Sequence, residues 1–173
     1  AAPSSTAPTS PASLPRPNGA LVRPIGRNKP LKATPLSTTL SPDGQFLAVL
    51  SAGQPATLTL FATKTETPTA SADLPDAWLG LAFSPNGRLL YASGGASGNI
   101  QEFRVTPEGR LEAARTFSTT PKDDKSPGNS AGKDLIGALA LTPDARMLLA
   151  ADVLRDQILV INLSSGRVIE HYP

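Results

Sequence analysis

The chain has 173 residues, of which 39% are hydrophobic and 17% are charged, with 18 prolines and no cysteine. This length allows one domain with a tail, and the lack of cysteine excludes disulfides, thiolate zinc sites, iron–sulfur clusters and cysteine nucleophiles. No stretch of about 18 apolar residues is present, so we expect no membrane-spanning helix. Because His171 is the only histidine, we expect neither a Ser-His-Asp triad nor a multi-histidine metal site, and no cofactor is implied.

The charge is divided unevenly along the chain. Residues 1–36 contain five basic and no acidic side chains, whereas residues 37–173 contain eleven basic and fourteen acidic ones, a net charge of −3. The pI near 9.2 therefore reflects a basic tail on a mildly acidic body. Dispersed cations without interleaved aromatic side chains are a weak signal for nucleic acid, so the pattern favours a solubilising tail over a nucleic-acid-binding arm.

The first twenty residues are dominated by Ala, Pro, Ser and Thr, which account for 16 of them. Such a segment buries too little apolar surface to offset its ordering entropy, so we expect it to be disordered. The Ala-Ala-Pro start and the flexible spacer are typical of a chain whose signal peptide has been removed. This predicts an extracytoplasmic location, although a cloning boundary explains the same start.

The rest of the chain contains three similar segments, which indicates an internal repeat. Each segment has an apolar run, a Ser/Thr-Pro-Asp/Asn turn and a second apolar run, and the shared prolines are Pro42, Pro85 and Pro143. These prolines are 43 and 58 residues apart. The longer interval contains a polar stretch, residues 118–133, that predicts a surface-loop insertion.

Each segment is predicted to form four short antiparallel strands. The segments cover residues 37–75, 76–117 and 134–173. The fourth and most polar strands are predicted at Thr67–Leu74, Leu111–Phe117 and Arg167–His171. The inner strands are continuous apolar runs, which indicates that both faces of each sheet are covered. Four-stranded units of this size that stack face to face are the blades of an all-β propeller.

The turn between the first two strands of each unit has its own chemistry. Proline presets φ near −65°, Asp or Asn caps the backbone, and glycine takes the left-handed position without steric cost. The third unit has Ala145 where the first two have glycine. A left-handed alanine costs about 1 kcal/mol, so we expect the third turn to change its type.

Two segments resemble a known repeat. Ser41-Pro-Asp-Gly-Gln-Phe-Leu-Ala-Val49 and Ser84-Pro-Asn-Gly-Arg-Leu-Leu-Tyr-Ala92, each followed by a strand-rich segment, are similar to the YVTN-type, YncE-like β-propeller repeat. The resemblance covers about residues 37–173 and implies a seven-bladed, extracytoplasmic propeller, although the Tyr-Val-Thr-Asn signature itself is degraded. The segment Asp76–Gly87 looks like proteins in which such a propeller precedes an alkaline-phosphatase-type phosphoesterase domain.

Three blades do not close a ring, because propellers usually have about four to eight. We therefore expect the chain to be the N-terminal part of a longer protein, with the remaining blades and a C-terminal domain as its partners. Residues 20–25 have the content of a short strand and are expected to close the last blade of that ring. In the isolated chain, two apolar blade faces are expected to be bare, which predicts self-association.

The candidate ligand-binding residues are Trp78, Asp152 and Arg155. Trp78 stands just before an inner strand, where it either lines the mouth of the central channel or packs between blades. Asp152, Arg155 and Asp156 lie in one hairpin loop of the third blade. A carboxylate pair beside a guanidinium suits a hard cation or an anionic substrate, whereas the alternative is a solvated turn.

Three other features have weaker functional interpretations. Asp123 and Asp124 are flanked by lysines in the insertion, which is typical of a solvated loop. The glycine-rich run Ser93–Gly98 lacks the Lys-Ser/Thr that follows a phosphate-binding loop. His171 lies in the last predicted strand, where we expect no catalytic function.

Two functions remain, and no catalytic constellation distinguishes them. The first is a non-catalytic extracytoplasmic binding or scaffold module, upstream of a phosphoesterase domain that would carry any hydrolase activity. The alternative is a lactonase-type enzyme, similar to the 6-phosphogluconolactonase propellers, that hydrolyses a sugar lactone. Few charged residues face the predicted channel, which favours the binding module.

Overall fold

The computed structural model describes residues 33–119 and 134–173, together with Lys29, Leu31 and two short strands. The chain divides into two compact units, Ala1–Lys32 and Ala33–Pro173. In the first unit, β1 (Leu14–Pro15) pairs with β2 (Leu21–Val22) in an antiparallel ladder. Thus β1 lies within the stretch that was expected to be disordered, and β2 covers part of the expected closing strand. The other residues of these two predictions lie outside the described part.

The second unit consists of three four-stranded antiparallel sheets, which we call blades 1 to 3. Blade 1 contains β3 (Pro35–Leu40), β4 (Phe46–Ser51), β5 (Ala56–Ala62) and β6 (Thr67–Leu74). Blade 2 contains β7 (Leu81–Phe83), β8 (Leu89–Ser93), β9 (Asn99–Val105) and β10 (Leu111–Ser118). Blade 3 contains β11 (Ile136–Leu141), β12 (Met147–Asp152), β13 (Gln157–Asn162) and β14 (Arg167–Tyr172).

The predicted all-β propeller fold is confirmed. In every blade the strands pair in chain order, and the described residues contain no helix. The first strands of successive blades, β3, β7 and β11, lie next to one another. A Cβ atom on Gly80 would collide with the carbonyl oxygen of Gly137 and with Leu139. A glycine at this position therefore permits the close approach of β7 and β11.

The predicted insertion at 118–133 falls mostly on residues outside the described part. Of its members, Ser118 is the last residue of β10, and Thr119 is buried. The rest of the predicted insertion, residues 120–133, is not among the residues that the structure describes.

Apolar side chains are buried between neighbouring blades. One cluster joins blades 1 and 2, with Leu50, Leu58 and Leu60 on one side and Leu90 and Phe103 on the other. A second cluster joins blades 2 and 3. Its members include Tyr91, Ile100, Phe117, Leu148, Leu159 and Ile161. Because both faces of blade 2 are covered in this way, its inner strands are apolar without alternation.

The first turn of each blade has the predicted form. The N–H of the fourth residue donates to the carbonyl of the first at 2.8 Å in all three blades. Gly44 and Gly87 have φ values of 72° and 69°. Ala145 has φ 54° and keeps the same hydrogen bond. The expected change of turn type is therefore wrong, because the surrounding blade holds alanine in the left-handed region.

Each turn is also held by its own carboxylate or amide. The Ser41 hydroxyl and the Gln45 N–H both donate to Oδ1 of Asp43, at 2.6 and 3.0 Å. These bonds, the Ser41 bond first, hold the pKa of Asp43 below its usual value. In the third blade, Thr142 and then the Arg146 N–H lower the pKa of Asp144 in the same way. The same local hydrogen bonds therefore form in the third turn, where alanine replaces glycine.

Blades 1 and 3 each have one face that points away from blade 2. On this face of blade 3, Ile158 pairs with Tyr172, and both side chains are exposed. On the corresponding face of blade 1, Thr59 Oγ1 lies 3.4 Å from Ser71 Oγ, and Leu47 pairs with Phe61 beside it. Both faces thus carry apolar side chains, and the expectation that they are bare stays a prediction.

Replacing Ala145 with glycine is expected to stabilise the protein. Glycine adopts φ 54° without the Cβ penalty, so the free energy of unfolding should rise by about 1 kcal/mol. Urea unfolding followed by circular dichroism measures this difference. Ala113→Gly, in the exposed strand β10, is the matched control and should destabilise. A loss of stability in Ala145→Gly would mean that the turn does not strain alanine.

Self-association is expected to depend on the free face of blade 3. Ile158→Lys places a charge in the exposed apolar pair and should shift the protein toward monomer, because a charge opposes burial of this face. Sedimentation velocity over a range of concentrations measures the shift. Thr59→Lys, at a polar residue of blade 1, is the control and should change association less. A wild-type protein that is monomeric at every concentration would contradict this expectation.

Candidate functional site

Connections at the two edges of the blades differ in character. The first-to-second and third-to-fourth strand turns lie at one edge, which we call the turn edge. The second-to-third strand loops and the connections between blades lie at the other, which we call the loop edge. This follows from four antiparallel strands, because an even number of strands returns the chain to its starting edge. The loop edge contains residues 52–55, 75–80, 94–98, 119 with 134–135, and 153–156.

Trp78 lies at the loop edge, directly before the inner strand β7. Its backbone N–H donates to the carbonyl of Ser93 at 3.2 Å. Gly95 has φ 53°, and a Cβ atom at this residue would lie 3.3 Å from the Cβ of Trp78. The tryptophan therefore packs against the backbone of a residue that has no side chain. The side chain is 41% exposed, and that of Leu79 is 50% exposed. Trp78 is thus not fully buried between blades, and its assignment as a ligand-binding residue stays a prediction.

Asp152 is the last residue of β12 and is only 1% exposed. Its Oδ1 accepts the backbone N–H of Leu135 at 3.2 Å and that of Leu154 at 3.3 Å. Its Oδ2 accepts Nε2 of Gln157 at 3.0 Å. The solvated-turn interpretation thus does not describe Asp152, whose carboxylate connects the start of blade 3 to the loop at 153–156.

Asp134 is a second buried carboxylate that sequence reasoning did not identify. It is 1% exposed, and its Oδ2 lies 2.6 Å from Oγ1 of Thr119. The same hydroxyl lies 2.7 Å from the carbonyl oxygen of Gly98. The sequence did contain a signal for this residue, because Asp134 aligns with Asp76 when the repeats of blades 2 and 3 are aligned on their turn prolines. The connection between blades 2 and 3 is therefore anchored to the 94–98 loop.

Arg155 lies between the two buried carboxylates. Its Nε is 3.3 Å from Oδ1 of Asp134 and 3.9 Å from Oδ2 of Asp152. The guanidinium offsets part of their charge, and the side chain remains 30% exposed. Two of the three sequence candidates, Asp152 and Arg155, thus meet in one cluster, and Asp134 completes it. We call these three residues the loop-edge brace.

The remaining candidates lie outside this brace. Asp156 is exposed and has φ 49°, which agrees with a solvated turn. His171 Nδ1 lies 3.3 Å from Oε1 of Gln157 on the exposed outer strand β14. The run Ser93–Gly98 connects two strands and precedes no helix. Asp123 and Asp124 lie outside the described residues.

Two kinds of feature, a metal-binding cluster and a membrane-spanning helix, are absent from the part of the chain that the structure describes. Within residues 33–119 and 134–173, no three side chains of the His, Cys, Asp or Glu type converge to hold a metal ion. Among the same residues, no helix has the length and apolar character required to cross a membrane.

The sequence matches the family described as "Lactonase, 7-bladed beta-propeller" over residues 24–172. The chain belongs to this family. The match agrees with the three blades and with the predicted seven-bladed ring. Among curated proteins, none matches the sequence closely enough to count as a relative.

Several solved structures share the fold. The periplasmic gluconolactonase of Pseudomonas aeruginosa is 25% identical, with a TM-score of 0.64, and the match covers 91% of this chain and 48% of that one. Hydrazine synthase of Kuenenia stuttgartiensis is 21% identical, with a TM-score of 0.62 over 80% and 36% of the two chains. A functionally unknown protein from Desulfotomaculum acetoxidans is 16% identical, with a TM-score of 0.63 over 88% and 45%. This lactonase-family chain spans half or less of each of these structures.

Removing the carboxylate of Asp152 is expected to destabilise blade 3. In Asp152→Ala, the N–H groups of Leu135 and Leu154 lose their acceptor, so the free energy of unfolding should fall by about 2–4 kcal/mol. Asp152→Asn keeps an acceptor oxygen and should cost about half as much. Chemical unfolding measures both changes. Asp156→Asn, at an exposed position in the same loop, is the control. If Asp152→Ala and Asp156→Asn lowered the free energy of unfolding equally, the structural function of the loop-edge brace would be contradicted.

Proposed function

We propose that the chain is part of an extracytoplasmic lactonase-type propeller that binds a sugar lactone at its loop edge. The family match supports the lactonase class, and the similarity to a periplasmic gluconolactonase supports both the substrate class and the location. The observation that carries the proposal is Trp78, which is 41% exposed and precedes the inner strand β7. An aromatic face in this position suits the C–H face of a sugar ring.

The loop-edge brace has a supporting function in this proposal. Asp134, Asp152 and Arg155 connect the 94–98 loop, the start of blade 3 and the 153–156 loop. Buried side chains with fixed partners hold a binding edge in a single geometry. In the reaction, water adds to the lactone carbonyl carbon and the ring C–O ester bond breaks, which yields a hydroxy acid. In this chain, Trp78 would position the ring, and the brace would keep the surrounding loops in place.

A non-catalytic binding module is the second candidate. It is favoured by the brace itself, because the oxygens of Asp152 accept structural hydrogen bonds. It is also favoured by Val153 and Leu154, which are 53% and 61% exposed at the same edge and offer an apolar surface to a partner. In this form the chain would be a YVTN-type, YncE-like scaffold that precedes a phosphoesterase domain.

Hydrolysis of glucono-1,5-lactone tests the proposal. Acid release is followed with a pH indicator, and the rate is compared with the uncatalysed rate in the same buffer. Trp78→Ala is expected to raise KM about tenfold, which corresponds to about 1.4 kcal/mol of lost binding, with a smaller change in kcat. Tyr172→Ala, at an exposed aromatic residue on β14, is the matched control and should leave KM unchanged.

The alternative outcomes distinguish the two candidates. Binding of gluconate that depends on Trp78, without any hydrolysis, would favour the non-catalytic module. Neither hydrolysis nor Trp78-dependent binding of the lactone or the acid would overturn the proposed sugar-lactone site.

A further inference from the structure

The short first strand of blade 2 distinguishes Trp78 from its counterpart in blade 3. When the two blades are aligned on their turn prolines, Trp78 occupies the position of Ile136. Ile136 is the first residue of β11 and is fully buried, whereas Trp78 precedes β7 and is 41% exposed. The ladder of blade 2 therefore ends early and leaves the tryptophan outside it.

The departure from the ladder occurs at Gly80 and Ser93. Leu81 is opposite Ala92, so Gly80 and Ser93 are the next pair, and the N–H of Ser93 donates to the carbonyl of Gly80 at 2.9 Å. In an antiparallel ladder such a pair exchanges two backbone bonds, so the N–H of Gly80 would be expected to donate to the carbonyl of Ser93. It donates instead to the side chain, Oγ of Ser93, at 2.9 Å.

The hydroxyl of Ser93 thus leaves the carbonyl of the same residue for another donor. That donor is the N–H of Trp78, at 3.2 Å. A Cβ atom on Gly80 would lie 2.8 Å from the Cβ of Ser93, so a glycine at this position permits the close approach of the two residues. Ser93 therefore makes three hydrogen bonds to residues 78–80, and its side chain makes the one that changes the pattern.

The same arrangement occurs at the other end of β7, where the chain also leaves the ladder. The hydroxyl of Ser84 accepts the N–H of Leu89 at 2.9 Å, and the N–H of Ser84 donates to the carbonyl of Leu89 at 2.9 Å. The carbonyl of Ser84 then accepts the N–H of Gly87 in the turn, at 2.8 Å. At both ends a serine hydroxyl replaces a backbone carbonyl, and that carbonyl holds a residue outside the strand.

At the loop edge, the sequence restricts this arrangement to blade 2. In the alignment on the turn prolines, Ser93 corresponds to Leu50 in blade 1 and to Ala151 in blade 3. Neither side chain contains a hydrogen-bond acceptor. Serine at this position therefore accompanies the exposed tryptophan and is not a general feature of the repeat.

We propose that Ser93 is the positioning residue of Trp78, because its hydroxyl binds the N–H of Gly80 and frees its carbonyl to hold the tryptophan at the loop edge. This inference rests on the proposed function, in which Trp78 binds the ring of a sugar lactone. Ser93 itself is fully buried, so it acts on a ligand only through Trp78. Without the hydroxyl, the N–H of Gly80 competes for the carbonyl of residue 93, and Trp78 loses its backbone bond.

Fluorescence tests the position of Trp78 without any ligand. Trp78 is the only tryptophan of the chain, so its emission reports on this side chain alone. In Ser93→Ala, the steady-state anisotropy should fall and the acrylamide quenching constant should rise by about 1.5-fold, because the segment before β7 opens more easily when a hydrogen bond is lost.

Ser84→Ala is the matched control, because it removes the same kind of hydroxyl acceptor from the other end of β7. It should leave the anisotropy and the quenching constant unchanged, although it costs similar stability. Ser93→Cys keeps the volume of the side chain and replaces the oxygen with a weak acceptor. It gives the same fluorescence test if the alanine variant does not fold.

Hydrolysis of glucono-1,5-lactone connects Ser93 to the proposed site. Ser93→Ala should raise KM about three- to tenfold, with a change in kcat of less than about twofold. In the Trp78→Ala background the same substitution should change KM by less than about twofold, since Ser93 acts through Trp78 and the two effects are not additive.

The outcomes separate this inference from the proposed function. If Ser93→Ala changes the fluorescence while the wild-type protein neither hydrolyses nor binds the lactone, the positioning by Ser93 is supported and the lactone site is overturned. If the fluorescence of Ser93→Ala and wild type is the same, the positioning is overturned whatever the lactone activity. An equal fluorescence change in Ser84→Ala would also overturn it, because the effect would then reflect a general loss of stability.

Discussion

Burial of apolar side chains between successive blades is the interaction on which the rest of the structure depends. Leu50, Leu58 and Leu60 of blade 1 and Leu148, Leu159 and Ile161 of blade 3 pack against opposite faces of blade 2. Each fully buried leucine contributes about 1.5–3 kcal/mol relative to exposure. This stacking brings the inner strands together and places the connections of all three blades at shared edges. Every functional feature described above lies at one of these two edges.

The two edges have different chemistry although they belong to the same repeats. At the loop edge, Arg155 offsets part of the charge of the buried carboxylates of Asp134 and Asp152, and the connections vary in length and sequence. At the turn edge, the three turns share one hydrogen-bond pattern, and single substitutions change only the charge. Asn86 in place of an aspartate is such a change. A repeat fold can thus vary the charge of a turn without altering its backbone.

Most of the fold was predictable, because the repeat places strong local signals in every blade. Proline at the turn, an Asx residue after it and continuous apolar runs determined the strands and the stacking. The exception was Ala145, where local propensity predicted a different turn, but the ladder on both sides holds the residue at φ 54°. Tertiary context outweighed a cost of about 1 kcal/mol.

The candidate residues Trp78, Asp152 and Arg155 were recognisable from residue type and position, since loops beside inner strands carry binding groups in this fold. By itself, the sequence determined the blade repeat and its turns, because these depend on local patterns. Only the tertiary structure decided that Trp78 is partly exposed and that Asp152 is buried beside Asp134. Burial and charge pairing depend on contacts between residues that are distant in sequence, and the stacking of one blade on the next creates those contacts.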